Sequence, residues 1–130
     1  MKHIRVSLSR QVVLATILTG ALGVAGAHHS FAMFDLTKTA TVEGTVKEFQ
    51  WTHPHVWIEV MVATPDGGAK QYSIETVNLN VLKRSGWKFN TLKPGDQVTL
   101  VINPMRSGAP GGSLVSARLP DGRTLSGNGR

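Results

Sequence analysis

From residue 41 onward, apolar side chains recur at nearly every second position. In "TVEGTVKEFQW", residues 41 to 51, Val42, Gly44 and Val46 keep one parity and Phe49 and Trp51 the other, which predicts a strand with a bulge near Lys47 or Glu48. Residues 55 to 63, "HVWIEVMVA", place Val56, Ile58, Val60 and Val62 on one face and His55, Trp57, Glu59 and Met61 on the other, so a second strand is expected there. "TPDGGAK" supplies a fixed φ followed by residues that accept positive φ, and Tyr72 and Ile74 then mark a third strand. After Glu75 the period lengthens. Leu79 and Leu82 are three apart, Asn78 is placed to cap, Lys83 and Arg84 fall in the last turn, and Gly86 follows, which together predict a short helix. "LKPGD" turns into a fourth strand at Val98, Leu100 and Ile102, "NPMRSGAPGG" reads as a flexible loop, a fifth strand is expected around Leu114 to Leu119, and "PDGR" leads to a last short strand near Thr124 and Leu125.

Three strands, one helix, then two or three strands is the order of an OB-type barrel, in which the helix falls between the third and fourth strands. The expected fold is therefore all-β with one short helix, a small OB-like Greek-key barrel of five to six strands. A small β-sandwich is the rival, and the strands are few for it. The barrel domain should run over residues 41–126, after an N-terminal segment at 28–40 and before a short tail at 127–130.

Charge alters the picture ahead of that domain. Lys2, Arg5 and Arg10 stand without an acid in the first ten residues, and no charge occurs from Val12 to Ala27, the n-region and h-region pattern of a secretory signal. Ala25-Gly26-Ala27 offers the small side chains signal peptidase needs, so residues 1–27 are read as a cleavable signal peptide, with the mature chain starting at His28 and working in the periplasm or outside the cell. Losing three cations and no acid takes the formal charge from +6 to +3. The apolar run is too short for a comfortable membrane span, so no stable anchor is expected after cleavage. Without cysteine the chain has neither a lipid-attachment thiol nor a disulfide framework.

Taken together, "AHHSFAMFD", "WTHPHVWI", "LKRSGW", "LKPGD" and "LPDGR" resemble a family of short exported bacterial proteins classed as domain of unknown function 6152. The likeness spans nearly the whole mature chain. It implies a cleavable leader, a His-His-Ser start, a Pro-His step opening the second strand and a Gly-Asp turn before a later one; it implies no activity. Asn is common before the proline in that pattern, and this chain has His53 there, which ranks His55 ahead of His53.

The candidate chemistry is nitrogen ligation. After cleavage, His28 would carry a free α-amine beside its own imidazole, two ligands in one chelate, and His29 offers a second route through the amine and an intervening amide. A further imidazole would complete a donor set suited to Cu(II). An α-amine titrates at about 7.7 to 8.0 in model compounds, so a metal displaces only a weakly held proton. His55 is the expected partner and His53 the alternative, with Glu59 or Glu75 able to orient an imidazole from behind. Continued alternation would line Trp51, His53, His55, Trp57, Glu59 and Met61 along one face, and the segment "HHSFAMFD" is the natural cover for it. Trp51, Trp57 and Glu59 are thus the candidate ligand-binding residues.

Plainer readings stand beside these. A Pro-His step often forms a turn whose imidazole bonds a carbonyl, either tryptophan can be core, and Met61 and Met105 read as packing or loop residues. The alternative to a copper protein is a module of the cell envelope that binds a small non-metal ligand or a partner through the same face. Export and the modest mature charge argue against nucleic acid. Enzymatic activity is not expected: there is no Cys, no G-x-S-x-G and no H-E-x-x-H.

Overall fold

The computed structural model describes residues 31–129; the expected leader, His28 and His29 lie outside them. Strand β1 (Ala40–Gln50) lies between β2 (His55–Ala63) and β4 (Gln97–Pro104), antiparallel to both. Its register against β2 shifts between Val46 and Glu48, which leaves Lys47 as the extra residue of a bulge where the parity of the sequence changes. β2 pairs antiparallel with β3 (Ala69–Asn78), and β4 with β5 (Gly111–Arg118). β5 then returns to β3 in parallel, Ser73 to Gly111, Ile74 to Gly112 and Glu75 to Ser113, so five strands close into a barrel. A sixth, β6 (Thr124–Ser126), pairs with the far half of β5. With the single helix between β3 and β4, this is an OB-like barrel.

The closure corrects one expectation. Only residues 105 to 110 of the Gly/Ser-rich stretch form a loop, because Asn103 and Pro104 belong to β4 and Gly111 and Gly112 to β5. A Cβ on Gly111 would stand 2.5 Å from the Ser73 carbonyl oxygen, so glycine is what lets β5 approach β3 closely enough to pair. Composition that reads as a flexible loop is here partly the seam of the barrel.

Helix α1 (Leu79–Arg84) starts at Asn78, whose side chain accepts from the Val81 N–H. It ends in a Schellman motif: Gly86, at φ 88°, donates to Lys83 and Trp87 donates to the Leu82 carbonyl. The motif turns the Trp87 ring inward beside Leu82. Trp87 is 1% exposed, and its indole N–H donates to the Ser126 carbonyl at 2.7 Å. Around it lies one apolar cluster that includes Val56, Ile58 and Val60 from β2, Ile74 from β3, Leu100 and Ile102 from β4, and Leu114 from β5. The inward parity expected for β2 is the one observed. Gly127, just after β6, is tied to the barrel: its N–H donates to the Val115 carbonyl at 2.8 Å, and its carbonyl accepts from the Val77 N–H at 3.5 Å.

Candidate functional site

The outer face of β2 and β3 carries the candidate site, and the segment before β1 covers part of it. That segment forms a short 3-10 turn, Phe31–Met33, then an isolated bridge from Phe34 to Met105. The Arg106 N–H donates to the Met33 carbonyl at 2.8 Å, the Asp35 N–H to Pro104 at 2.8 Å, and the Asn103 side chain to the Lys38 carbonyl at 2.7 Å. Asp35 closes the turn by accepting from the Thr37 hydroxyl at 2.6 Å, with Lys38 at 3.0 Å. Those two partners, Thr37 foremost, hold the Asp35 carboxyl down to about 2. Phe34 is 2% exposed, while Phe31 lies over the imidazole of His55 with ring centroids 6.0 Å apart.

His55 begins β2, and its Nδ1 is 2.7 Å from Glu75 Oε1 and 2.9 Å from the Thr76 carbonyl oxygen. Both neighbours can accept from Nδ1, and neither contact uses Nε2. The pairing comes from register: the β2–β3 ladder shifts between His55 and Trp57, and Glu75 stands opposite Trp57. Glu75 is 4% exposed, and burial pushes its carboxyl above the usual carboxylate range while the charge of His55 works in the opposite direction. A cation on Nε2 would act in the same direction as that charge.

Glu59 has different work. It is buried and accepts from Ser73 Oγ at 2.6 Å and Gln71 Nε2 at 2.8 Å, across the ladder from its own strand. Of the two acids that sequence made equal as orienting groups, Glu75 is the one on His55.

The single face expected from Trp51 to Met61 is broken. β1 ends at Gln50 and β2 begins at His55, and residues 51 to 54 between them lie outside both strands, so alternation cannot carry Trp51 and His53 onto the face of β2. Trp51 instead meets Phe49 at a tilt, ring centroids 5.7 Å apart, and lines a crevice with Lys83, Trp87, Lys88 and Phe89. His53 is exposed in the turn. Trp57 is half-buried and lines a second crevice of about 110 Å³ with Met33, Phe34, Ser73, Met105, Pro110 and Gly111. Met61, four residues further along β2, opens on a broader groove with Glu43, Gln97 and Arg118.

Among the described residues no group of three or more His, Asp or Glu side chains is gathered tightly enough to hold a metal ion. His55 is the described side chain with a free ring nitrogen and an oriented partner, and His28 and His29 lie outside the described residues. Sequence reasoning missed Trp87 as the aromatic centre of the core and Met33 with Met105 as neighbours. The first was signalled by Gly86 at the helix end, since the residue after such a glycine packs back on the last turn. The second had no local signal, because 72 positions separate the two methionines.

Comparison with known proteins yields a family model described as a family of unknown function (DUF6152), which matches residues 16–114. No curated protein matches the chain. Among solved structures it is similar to a mitochondrial single-stranded DNA binding protein from S. cerevisiae, Rim1, at 13% identity and a TM-score of 0.47, covering 63% of this chain and 93% of that one.

Proposed function

The chain belongs to the family of unknown function DUF6152, and from that premise we propose that it is an exported, periplasmic small binding protein that holds Cu(II) at its mature N-terminus. The ligands are the α-amine and imidazole of His28, with His29 as the alternate, and Nε2 of His55; His53 is the weaker candidate. One observation carries the reading: both contacts of the His55 ring fall on Nδ1, at 2.7 Å from Glu75 and 2.9 Å from Thr76, so Nε2 is presented by a ring whose orientation is held from behind.

Chain geometry supports a shared pocket. Phe31 meets His55 with ring centroids 6.0 Å apart, and each residue ahead of Phe31 adds at most about 3.6 Å of backbone, a span short enough for the proposed ligands to share that imidazole. Amine and imidazole nitrogens suit Cu(II) above the other common divalent ions. Desolvated Glu75 gains from a cation bound across the ring, which couples the metal to a group already costly to bury.

The test is Cu(II) titration followed by electron paramagnetic resonance. Protein beginning at His28 should show one defined nitrogen-rich site. Protein keeping one extra residue ahead of His28 should lose most of that affinity, and His55→Ala should weaken it by about tenfold or more, as even outer partners of a metal site commonly do. Equal uptake by the two N-terminal forms would remove the chelate, and the non-metal envelope-ligand reading would take its place.

A further inference from the structure

The crevice beside Trp57 brings together two methionines that the sequence keeps far apart. Met33 ends the 3-10 turn of the covering segment and Met105 opens the loop after β4. The Phe34 to Met105 bridge and the Arg106 N–H on the Met33 carbonyl hold the two stretches side by side. Both residues line the same crevice of about 110 Å³, which Trp57, Phe34 and Pro110 wall. Gly111 forms part of its floor, where a side chain would collide with Ser73.

We propose that this crevice is a site for a soft monovalent cation, Cu(I) or Ag(I), held by the thioethers of Met33 and Met105 against the face of Trp57. The chemistry of the lining argues for that class. A thioether is uncharged and needs no deprotonation, and it selects soft ions over hard ones. No carboxylate lines the crevice among the described residues, so hard divalent ions find no oxygen anion there. An indole face attracts a cation through its quadrupole and gains strength where water is scarce. Methionine has three rotatable bonds, so two of them on adjacent backbones can converge their sulfurs on one ion. Met33 is 44% exposed, which gives the ion an entry path from solvent.

This site uses none of the nitrogen donors of the Cu(II) reading and stands or falls separately from it. The experiment is Ag(I) titration of protein beginning at His28 and carrying ¹³C-methyl methionine, with Cu(II) uptake measured in parallel. The Met33 and Met105 methyl signals should shift together and saturate at one Ag(I), while that of Met61, which lines another groove, stays in place. Met105→Leu and Met33→Leu keep volume and should each weaken Ag(I) binding by about tenfold, at the low end of what disturbing a metal site costs. Cu(II) uptake should be unchanged in both. Unmoved Met33 and Met105 methyls, or Ag(I) affinity in the double leucine variant equal to that of the parent, would overturn the proposal. A failed Cu(II) titration with shifting methyls would leave this site standing and remove only the terminal chelate.

Discussion

Trp51 and Trp57 are six residues apart in one strand-turn-strand stretch, yet they belong to regions built on different principles. Around Trp51 the ring contacts are aromatic, with Lys83 and Lys88 at the crevice: Phe49 lies at 5.7 Å, and beyond it Trp87, whose ring is 6.0 Å from that of Phe49. Around Trp57 the barrel buries polarity. Glu59, Glu75, Thr76 and Ser113, the buried polar or charged residues of the described chain, all come from β2, β3 and β5 on this side. Burying a carboxyl costs free energy unless partners meet it, and an apolar face would have served stability better. The region around Trp57 holds its buried acids through named partners, Ser73 and Gln71 for Glu59 and His55 for Glu75, and the region around Trp51 relies on ring contacts.

The largest effect that tests this contrast lies in the apolar region. Trp87→Ala empties the centre of the core and should cost about 3 to 5 kcal/mol in urea unfolding, with any metal binding by the folded fraction retained. A cost under about 1 kcal/mol, the range of ordinary surface changes and mild substitutions, would mean that Trp87 is no keystone. On the polar side, His55→Ala leaves Glu75 without its ring partner and should cost about 1 to 3 kcal/mol. Adding Glu75→Gln to that variant should recover part of the loss, since a buried amide carries no charge to solvate. A purely additive double variant would show that the two side chains do not act as a pair.

The smallest effects are in pH dependence, and the two acids should pull in opposite directions. Asp35 titrates lower folded than unfolded, so its contribution is present above the ordinary value of 3.8 and is lost as pH falls through about 2. Asp35→Asn should therefore flatten the stability profile over that interval. Glu75 is raised, so the folded state binds its proton more tightly and stability declines as pH climbs from the ordinary value of 4.5. Relative to Glu75→Gln, the parent should weaken with rising pH in that region, and denaturation midpoints recorded across pH 2 to 7 would expose a wrong sign for either acid.

Much of the barrel was legible because β2 alternates strictly and Asn78, Lys83, Arg84 and Gly86 announce a helix with both ends. The bulge at Lys47 could be read from a parity change alone. What could not be read was any consequence of closure. Gly111 and Gly112 look like loop until β3 is placed beside them, and the choice of Glu75 over Glu59 for His55 depends on a one-residue register shift that the alternation conceals. The extrapolated face failed at His53 and Pro54, where alternation was carried through a turn. Of the expected cover, Phe34 is buried, while Phe31 touches His55 and Met33 lines the Trp57 crevice with both side chains still partly exposed.

The parallel contact between β3 and β5 is short, with three registered pairs against the six that join β1 to β4. Glu75 is the last of those three on β3, so the carboxylate behind His55 sits on the latch of the barrel. A cation captured in front of that imidazole would tighten the latch, and occupancy would be written into how slowly the amides of Gly111 to Ser113 exchange with deuterated water, well away from the atom that makes the capture.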